Sequence, residues 1–206
     1  MSFKIENKLV VAIASSAVLT LDAARDTFRE RGLEAPSLVV SDANKGLIAA
    51  IRKNFPGASW QRCKVHFMRN ILVHVSQKER DAFAAQMKEI WLAPSVELAS
   101  QRARQLSERY EKRFPKAIEI LEEGLEDSLA FYALSKLDAR KISSTNMLER
   151  LNREIRRRTN VVGIFPNPDS YLRLVTTYLM EYAEDWSVSR AYLNPQSIQT
   201  LLPNAA

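Results

Sequence analysis

The sequence predicts an α/β fold that is mostly helical, and three observations support this prediction. Short apolar runs at 9–14 and 37–41 are typical of buried strands, and a third short strand is predicted at 59–63. Almost every segment of 66–137 has the periodicity of a helix. The composition, with 46% hydrophobic and 26% charged residues, is that of an ordinary globular protein.

The elements are predicted in chain order from their apolar patterns and their flanking residues. A strand at 9–14 is followed by a helix at 21–31 that Gly32 closes, and a strand at 37–41 is followed by a helix at 45–54 that ends before Pro56. The helices of 66–137 are predicted to break at Pro94, Pro115 and Gly124. One face of a last helix, at 169–183, carries Leu172, Val175, Leu179 and Tyr182, and Trp186 and Tyr192 are predicted to pack the tail.

The segment SSTNMLERLNREIRRRTNVVGIFPN at 143–167 is the most informative part of the chain. Asn146 is predicted to cap a helix, and Leu148, Leu151 and Ile155 form an apolar stripe that should face a core. Glu149 lies on a flank of this stripe. Asn152, Arg153 and Arg156 follow it at the spacing that places them on the same flank, and Arg157 and Arg158 add charge before the helix stops at 159–163.

Glu149 and the arginines each allow a structural and a functional interpretation. Glu149 lies three residues after Asn146, which is the spacing of a capping box. The arginines could form a solvated face at the negative end of the helix dipole. However, residues 140–158 contain seven cations and two anions, a net charge of +5, whereas the whole chain carries only +6. This concentration of positive charge favours a phosphate-binding surface.

Four ordered segments resemble the catalytic half of mutator-type bacterial insertion-sequence transposases, colinearly from about Thr27 to the C-terminus. They are VVSDANKGL at 39–47, WQRCKVHFMRN at 60–70, the 143–167 segment and RLV at 173–175.

The resemblance implies an RNase H-like core with a DDE active site, interrupted by an all-helical insertion before the glutamate. It assigns Asp42 and Glu149 as catalytic residues and metal ligands, with Cys63 and His66 as the Cys-x-x-His signature near the site. In such a site carboxylates hold Mg²⁺ or Mn²⁺ ions that activate the attacking group and stabilise the leaving oxygen. Double-stranded DNA, as transposon ends and target, is the implied partner, and Lys141, Arg150, Arg153, Arg156, Arg157 and Arg158 are the residues expected to contact it.

Cys63 and His66 could also be ligands of a structural metal. A zinc site needs four ligands, or three and a water. The chain contains one cysteine and two histidines, and His74 lies eight residues after His66, too far along the helix to converge with it easily. Packing beside Asp42 is therefore the favoured role for the pair.

The chain also departs from the family pattern. The family's first catalytic aspartate lies on an earlier strand, and neither Asp22 nor Asp26 suits that position because both fall in a helix-like stretch. A truncated, catalytically impaired copy with weak metal binding is therefore expected. Asn44 stands where a histidine is common in the family, and Ala139 where a tryptophan is common.

The division of the chain follows from the same comparison. We predict a foreign N-terminal segment at 1–24, the first part of the core at 25–75, the helical insertion at 76–140, and the return of the core with the glutamate helix at 141–206. The run KLVVAIASSAVL resembles the opening strand of cytosolic 5′-nucleotidases, although the chain lacks the D-x-D motif of such enzymes.

A signal peptide is the alternative, with the apolar run at 9–21. Ser15 and Ser16 interrupt that run, and its 13 residues are fewer than the roughly 20 that span a bilayer. With one cysteine, which excludes an intrachain disulfide, a cytoplasmic location without membrane contact is expected.

The sequence allows three functions. The first is a transposase fragment, acting alone or as a homo-oligomer. The second is a non-catalytic DNA-binding or dimerising remnant that modulates an intact transposase. The third is an unrelated helical module that binds RNA or protein.

Overall fold

The computed structural model describes residues 11–12, 36–134 and 137–188. The strands are β1 (Val11–Ala12), β2 (Leu38–Ser41) and β3 (Ser59–Arg62). The helices are α1 (Lys45–Asn54), α2 (Lys64–Leu72), α3 (Arg80–Trp91), α4 (Val96–Tyr110), α5 (Pro115–Ser128), α6 (Ala139–Ile142), α7 (Asn146–Val162) and α8 (Pro168–Val188), with a 3₁₀ segment at Ala130–Leu134. The described part of the chain is therefore mostly helical, as the sequence predicts.

The three strands form one parallel sheet in the order β1-β2-β3, with β2 in the centre. All four residues of β2 are buried, because helices cover both faces of this strand. Val39 packs with Leu47, Ile51 and Phe55 of the α1 segment on one face. Leu38 and Val40, which alternate with it, belong to the large core on the other face.

The large core continues from the sheet into helices α2 to α5. Phe67 and Trp91 meet edge to face at 6.2 Å, and Phe83 meets Tyr110 at 4.9 Å. The helices of the predicted insertion thus share one apolar cluster with Leu38, Val40 and Cys63.

Gln61 of β3 joins the sheet to these helices by hydrogen bonds. The side chain is fully buried, donates to the Ser128 carbonyl at 2.8 Å and accepts from the Phe131 amide at 2.8 Å. Buried polar groups are stable only when they are paired, so these bonds fix the end of α5 and the 3₁₀ segment against β3.

The predicted helix break at Gly124 is wrong. Helix α5 passes through this residue without interruption, and a Cβ atom at this position would lie 2.7 Å from Cε2 of Phe67. The glycine therefore serves close packing of α5 against α2. The breaks at Pro94 and Pro115 are confirmed, since Pro94 lies between α3 and α4 and Pro115 is the first residue of α5.

The predictions for the first half agree with the structure within a few residues. The strands at 37–41 and 59–63 and the helix at 45–54 are confirmed, and of the strand predicted at 9–14 the described residues 11–12 form a strand. The interruption between α2 and α3 was not predicted; buried Val75 and a bond from the Arg80 guanidinium to its carbonyl at 3.3 Å hold the connecting turn. The helix predicted at 21–31, the side chain of Trp186 and the residue Tyr192 lie outside the described residues.

Candidate active site

Asp42 and Cys63 leave the sheet side by side at the carboxyl edge. Ser41 pairs with Arg62 in the parallel register of β2 and β3, so the next residue of each strand lies at the same edge. The Cys63 amide donates to the Ser41 carbonyl at 2.7 Å and extends this ladder. Asp42 is half-buried, and its Oδ1 atom is buried without a hydrogen-bond partner among the described residues.

Asn44, where the sequence departs from the family pattern, has a local structural role. Its side chain accepts a bond from the Leu47 amide at 3.1 Å and caps helix α1 directly after Asp42. The cap fixes the direction in which the chain leaves the sheet edge.

Helices α2 and α7 begin next to each other at this edge. The Lys64 amide donates to the Ser143 carbonyl at 3.1 Å, and burial lowers the pKa of the Lys64 ammonium group. The Cys63 sulfur accepts from the Thr145 amide at 3.4 Å and lies 3.3 Å from the Thr145 hydroxyl oxygen. Both residues are buried, so the two helix starts are held together by direct contacts.

Glu149 and His66 are in direct contact. His66 Nε2 lies 3.2 Å from Glu149 Oε1, and the Thr145 hydroxyl donates to the same oxygen at 3.2 Å. The two side chains remain 35% and 28% exposed, so solvent reaches the pair. The structure therefore brings Glu149 together with the Cys63 and His66 signature, and contacts lead from it through Thr145 and Cys63 to Ser41, the neighbour of Asp42.

Thr145 contacts Glu149 directly, although the motifs of the sequence do not single it out. The available signal was its spacing, because residues four apart on a helix lie on one face and Thr145 lies four residues before Glu149.

The predicted cap of α7, Asn146, is wrong by one residue. The helix begins at Asn146, Thr145 occupies the cap position, and its side chain makes no capping bond. Glu149 is not part of a capping box, because its Oε1 atom contacts the Thr145 hydroxyl and His66. The predicted stop is confirmed, since α7 ends at Val162 before Gly163, which has a φ of 72°.

The cationic face of α7 divides into paired and unpaired arginines. Arg157 donates to both carboxylate oxygens of Glu154, at 3.0 and 2.7 Å, and Arg158 donates to one of them at 3.2 Å. Arg150, Arg153 and Arg156 make no ion pair with any residue that the structure describes. They are exposed, so these three guanidinium groups are available to a ligand.

The ion pairs around Glu154 shift the ionisation of the groups involved. Hydrogen bonds from Arg157 and then Arg158 lower the pKa of Glu154 from 4.5 to about 2, and the same bond raises the pKa of Arg157. Glu154 is therefore charged at neutral pH, and it neutralises part of the positive face.

Lys141, the remaining residue predicted to bind DNA, lies on the short helix α6 and is partly buried. Its neighbour Arg140 is exposed but pairs with Asp138 at 3.0 Å.

The apolar stripe of α7 packs less deeply than predicted. Leu148, Leu151 and Ile155 are half-buried, and none of the residues of α7 is fully buried by the described part of the chain. The helix predicted at 169–183 is present as α8, but Leu172 and Leu179 of its apolar face are 56% and 38% exposed.

Tyr178 of α8 is buried beside α7. The Arg158 guanidinium lies 4.1 Å from the centre of the Tyr178 ring, and burial raises the pKa of the Tyr178 hydroxyl.

No helix among the described residues combines the length and apolar character needed to cross a membrane. Nor do three or more histidine, cysteine or acidic side chains gather there in a cluster that could hold a metal ion.

Comparison with known proteins finds one matching family and several similar proteins. Residues 22–189 match the family described as Transposase, Mutator family, and the first 21 residues lie outside this match. The transposase for insertion sequence element IS256 in transposon Tn4001 of Staphylococcus aureus is 40% identical over 169 residues, which cover 81% of this chain and 43% of that protein.

Two further relatives are transposases for insertion sequence elements. The ISRM5 protein of Rhizobium meliloti is 42% identical over 171 residues, 82% of this chain and 42% of that protein. The IS1081 protein of Mycobacterium tuberculosis is 39% identical over 163 residues, 79% of this chain and 39% of that protein. The chain thus spans about two fifths of the length of these curated relatives.

Proposed function

This chain belongs to the Mutator family of transposases, and from that premise we propose that it carries a site for metal-dependent cleavage and transfer of DNA strands on an RNase H-like core. The observation that carries the proposal is the position of Glu149. It lies in the first turn of α7, and the next turns of that flank present Arg153 and Arg156 to solvent. A metal-binding carboxylate and two phosphate-binding groups thus share one helix flank.

The residues at the sheet edge fit a magnesium or manganese ion. Asp42 Oδ1 is a buried acceptor without a partner among the described residues, and such an atom carries a free-energy penalty that a cation would remove. Carboxylate oxygens are the ligands that Mg²⁺ and Mn²⁺ prefer. Asp42 and Glu149 would hold the ion, which when bound supplies activation of the attacking hydroxyl and stabilisation of the leaving oxygen.

The unpaired arginines of α7 would bind the substrate. Their guanidinium groups make bidentate contacts with phosphate oxygens, and such contacts position a duplex without reading its sequence. The proposed substrates are the transposon ends and the target DNA, bound by Arg150, Arg153 and Arg156 directly and by Arg157 and Arg158 in competition with Glu154.

A second candidate function is a non-catalytic DNA-binding remnant that associates with another copy or with an intact transposase. One observation favours it: the described residues provide Asp42 and Glu149 at this edge, but no group of three metal-binding side chains. Weak metal binding and little strand transfer are then expected from this chain. The third candidate, an unrelated RNA- or protein-binding module, does not agree with the family membership.

The residues before the family match form a separate part of the proposal. Val11 and Ala12 pair with β2 in parallel register, so this part of the chain contributes a strand to the sheet. We propose that this segment, 1–24 by the sequence pattern, is a graft from another gene, similar to the start of a cytosolic 5′-nucleotidase; the family match begins at residue 22. If it is a graft, replacing it by a segment of equal length that precedes the aligned part of the ISRM5 relative should leave DNA binding by α7 unchanged, and a loss of DNA affinity would contradict the graft.

Three measurements on one sample test the proposed function. Fluorescence anisotropy should show weak duplex DNA binding without sequence preference, and calorimetry should show weak Mn²⁺ binding that Glu149→Gln abolishes. Glu122→Gln, at an exposed position of α5, is the control for the loss of one charge.

A strand-transfer assay on transposon-end DNA separates the two candidates. Metal-dependent transfer that Glu149→Gln abolishes would establish the catalytic function, and its absence together with DNA binding would favour the remnant. A protein that binds neither DNA nor Mn²⁺ would contradict both.

A further inference from the structure

The carboxylate of Glu149 is held at one oxygen only. The Thr145 hydroxyl donates to Oε1 at 3.2 Å, and His66 Nε2 lies 3.2 Å from the same atom. The described residues provide no donor to Oε2. The two oxygens of this carboxylate therefore have different surroundings, one occupied by protein donors and the other open.

Each of the two groups around Oε1 is itself held in place. Thr145 is 2% exposed, and its amide and hydroxyl both contact the buried sulfur of Cys63. His66 lies in the first turn of α2, which begins directly after Cys63. Cys63 thus fixes both the start of α2 and the residue at the start of α7.

The surroundings of His66 indicate which ring nitrogen carries hydrogen. Nδ1 is buried without a hydrogen-bond partner among the described residues, whereas Nε2 faces the Glu149 carboxylate. Hydrogen on Nε2 gives Glu149 a donor, whereas the other tautomer would direct the Nε2 lone pair at a carboxylate oxygen. Nδ1 lacks a partner among the described residues in either tautomer, so the contact of Nε2 decides between them.

We propose that His66 and Thr145 are positioning residues that hold Oε1 of Glu149 and thereby present Oε2 alone to the metal ion. Cys63 supports them by fixing Thr145. This inference rests on the proposed function, because it assumes that Glu149 is a metal ligand. It gives the Cys-x-x-His signature a role in orienting a ligand without being a ligand itself, and residues of this kind typically change metal affinity by roughly 10–100-fold.

Matched substitutions test the His66 part of the proposal. The amide nitrogen of glutamine can reach the position of Nε2, whereas that of asparagine reaches only the position of Nδ1. We expect His66→Asn to weaken Mn²⁺ binding by roughly tenfold or more, whereas His66→Gln should stay close to wild type. Electron paramagnetic resonance of free Mn²⁺ measures this without any catalytic assay, and His74→Asn is the control at the exposed histidine.

Thr145 is tested with serine and valine. Thr145→Ser keeps the hydroxyl and should keep Mn²⁺ affinity, whereas Thr145→Val has a similar shape without the donor and should weaken it. Thermal unfolding of each variant shows whether it folds. If valine prevents folding, the His66 pair alone decides the proposal.

A spectroscopic measurement tests the tautomer directly. The chain contains two histidines, so ¹⁵N spectra of wild type and His74→Asn assign the His66 ring. Hydrogen on Nε2 supports the proposal, and hydrogen on Nδ1 alone overturns it.

The Glu149→Gln variant separates failure of this inference from failure of the proposed function. If Glu149→Gln leaves Mn²⁺ binding unchanged, Glu149 is not a metal ligand and the proposed function itself fails. If Glu149→Gln weakens binding but both His66 variants and both Thr145 variants bind like wild type, only the positioning roles are overturned.

Discussion

Gly124 allows helix α5 to lie against α2 and β3 at a distance that no larger residue permits. A Cβ atom there would meet the ring of Phe67 at 2.7 Å and the guanidinium of Arg62, which itself lies 4.1 Å from the centre of that ring. Arginine can move aside because its end is flexible, but the Phe67 ring is fully buried. The position therefore has a packing requirement that outweighs helix propensity.

Gly124→Ala should therefore destabilise the protein although alanine favours helices. Overpacking costs roughly 1–3 kcal/mol and the gain in helix propensity is about 1 kcal/mol, so a net loss of about 1 kcal/mol is expected. Urea unfolding measures the change, and Glu122→Ala, exposed on the same helix, is the control. A Gly124→Ala protein as stable as wild type would show that the ring moves freely.

Glu154 lowers the positive charge of α7 at neutral pH. Because its pKa in the folded protein, about 2, lies below the ordinary 4.5, its pairing stabilises the fold above pH 4.5 and loses this effect as the pH falls towards 2. The carbon resonance of its carboxyl group should therefore titrate near pH 2. The contribution to stability is small, since the group is exposed.

Glu154→Gln should strengthen DNA binding at neutral pH. The substitution removes a negative charge and releases Arg157 and Arg158 to contact phosphates. Glu122→Gln changes the net charge equally on α5 and should have a smaller effect. Equal affinities for the two variants, measured by fluorescence anisotropy, would contradict the assignment of α7 as the DNA-binding surface.

At the level of whole elements, spacing along the sequence places Glu149 and the arginines on one helix. The same spacing allows Glu154 to pair with Arg157 and Arg158, three and four residues further along, and the structure shows both pairs. The contact of Arg158 with Tyr178 joins α7 to α8. It is tertiary, so the pattern of one helix does not contain it.

Two double variants of α7 test the difference between its paired and unpaired arginines at constant net charge. Each phosphate contact contributes about 0.9 to the slope of log affinity against log salt concentration. Arg153→Ala with Arg156→Ala should reduce the slope by about 2, and Arg157→Ala with Arg158→Ala by less than about 1, because Glu154 already holds the second pair. Equal losses would mean that the ion pairs seen within α7 do not survive contact with DNA.

Across the whole molecule, the predictable features are those that depend on local pattern. The strand end that carries Asp42 follows from a short apolar run, and α1 follows from its periodicity and its proline stop. The break assigned to Gly124 and the cap assigned to Asn146 were wrong because each residue was judged by local propensity. In the structure, Gly124 provides room for the Phe67 ring, and the Thr145 amide at the start of α7 donates to the Cys63 sulfur. Both partners are distant in sequence.

The distribution of burial predicts how stability varies along the chain. Helices α2 to α5 each contribute fully buried side chains to the core they share with the sheet, whereas no residue of α7 is fully buried by the described part of the chain. Local opening is easier where fewer apolar side chains are buried. Backbone amides of α7 should therefore exchange with deuterium faster than those of α5, and mass spectrometry of proteolytic fragments can measure both in one sample. Duplex DNA should slow exchange in α7 and leave α5 unchanged, since the proposed phosphate contacts lie on α7. Protection of α7 equal to that of α5 without DNA would contradict this prediction.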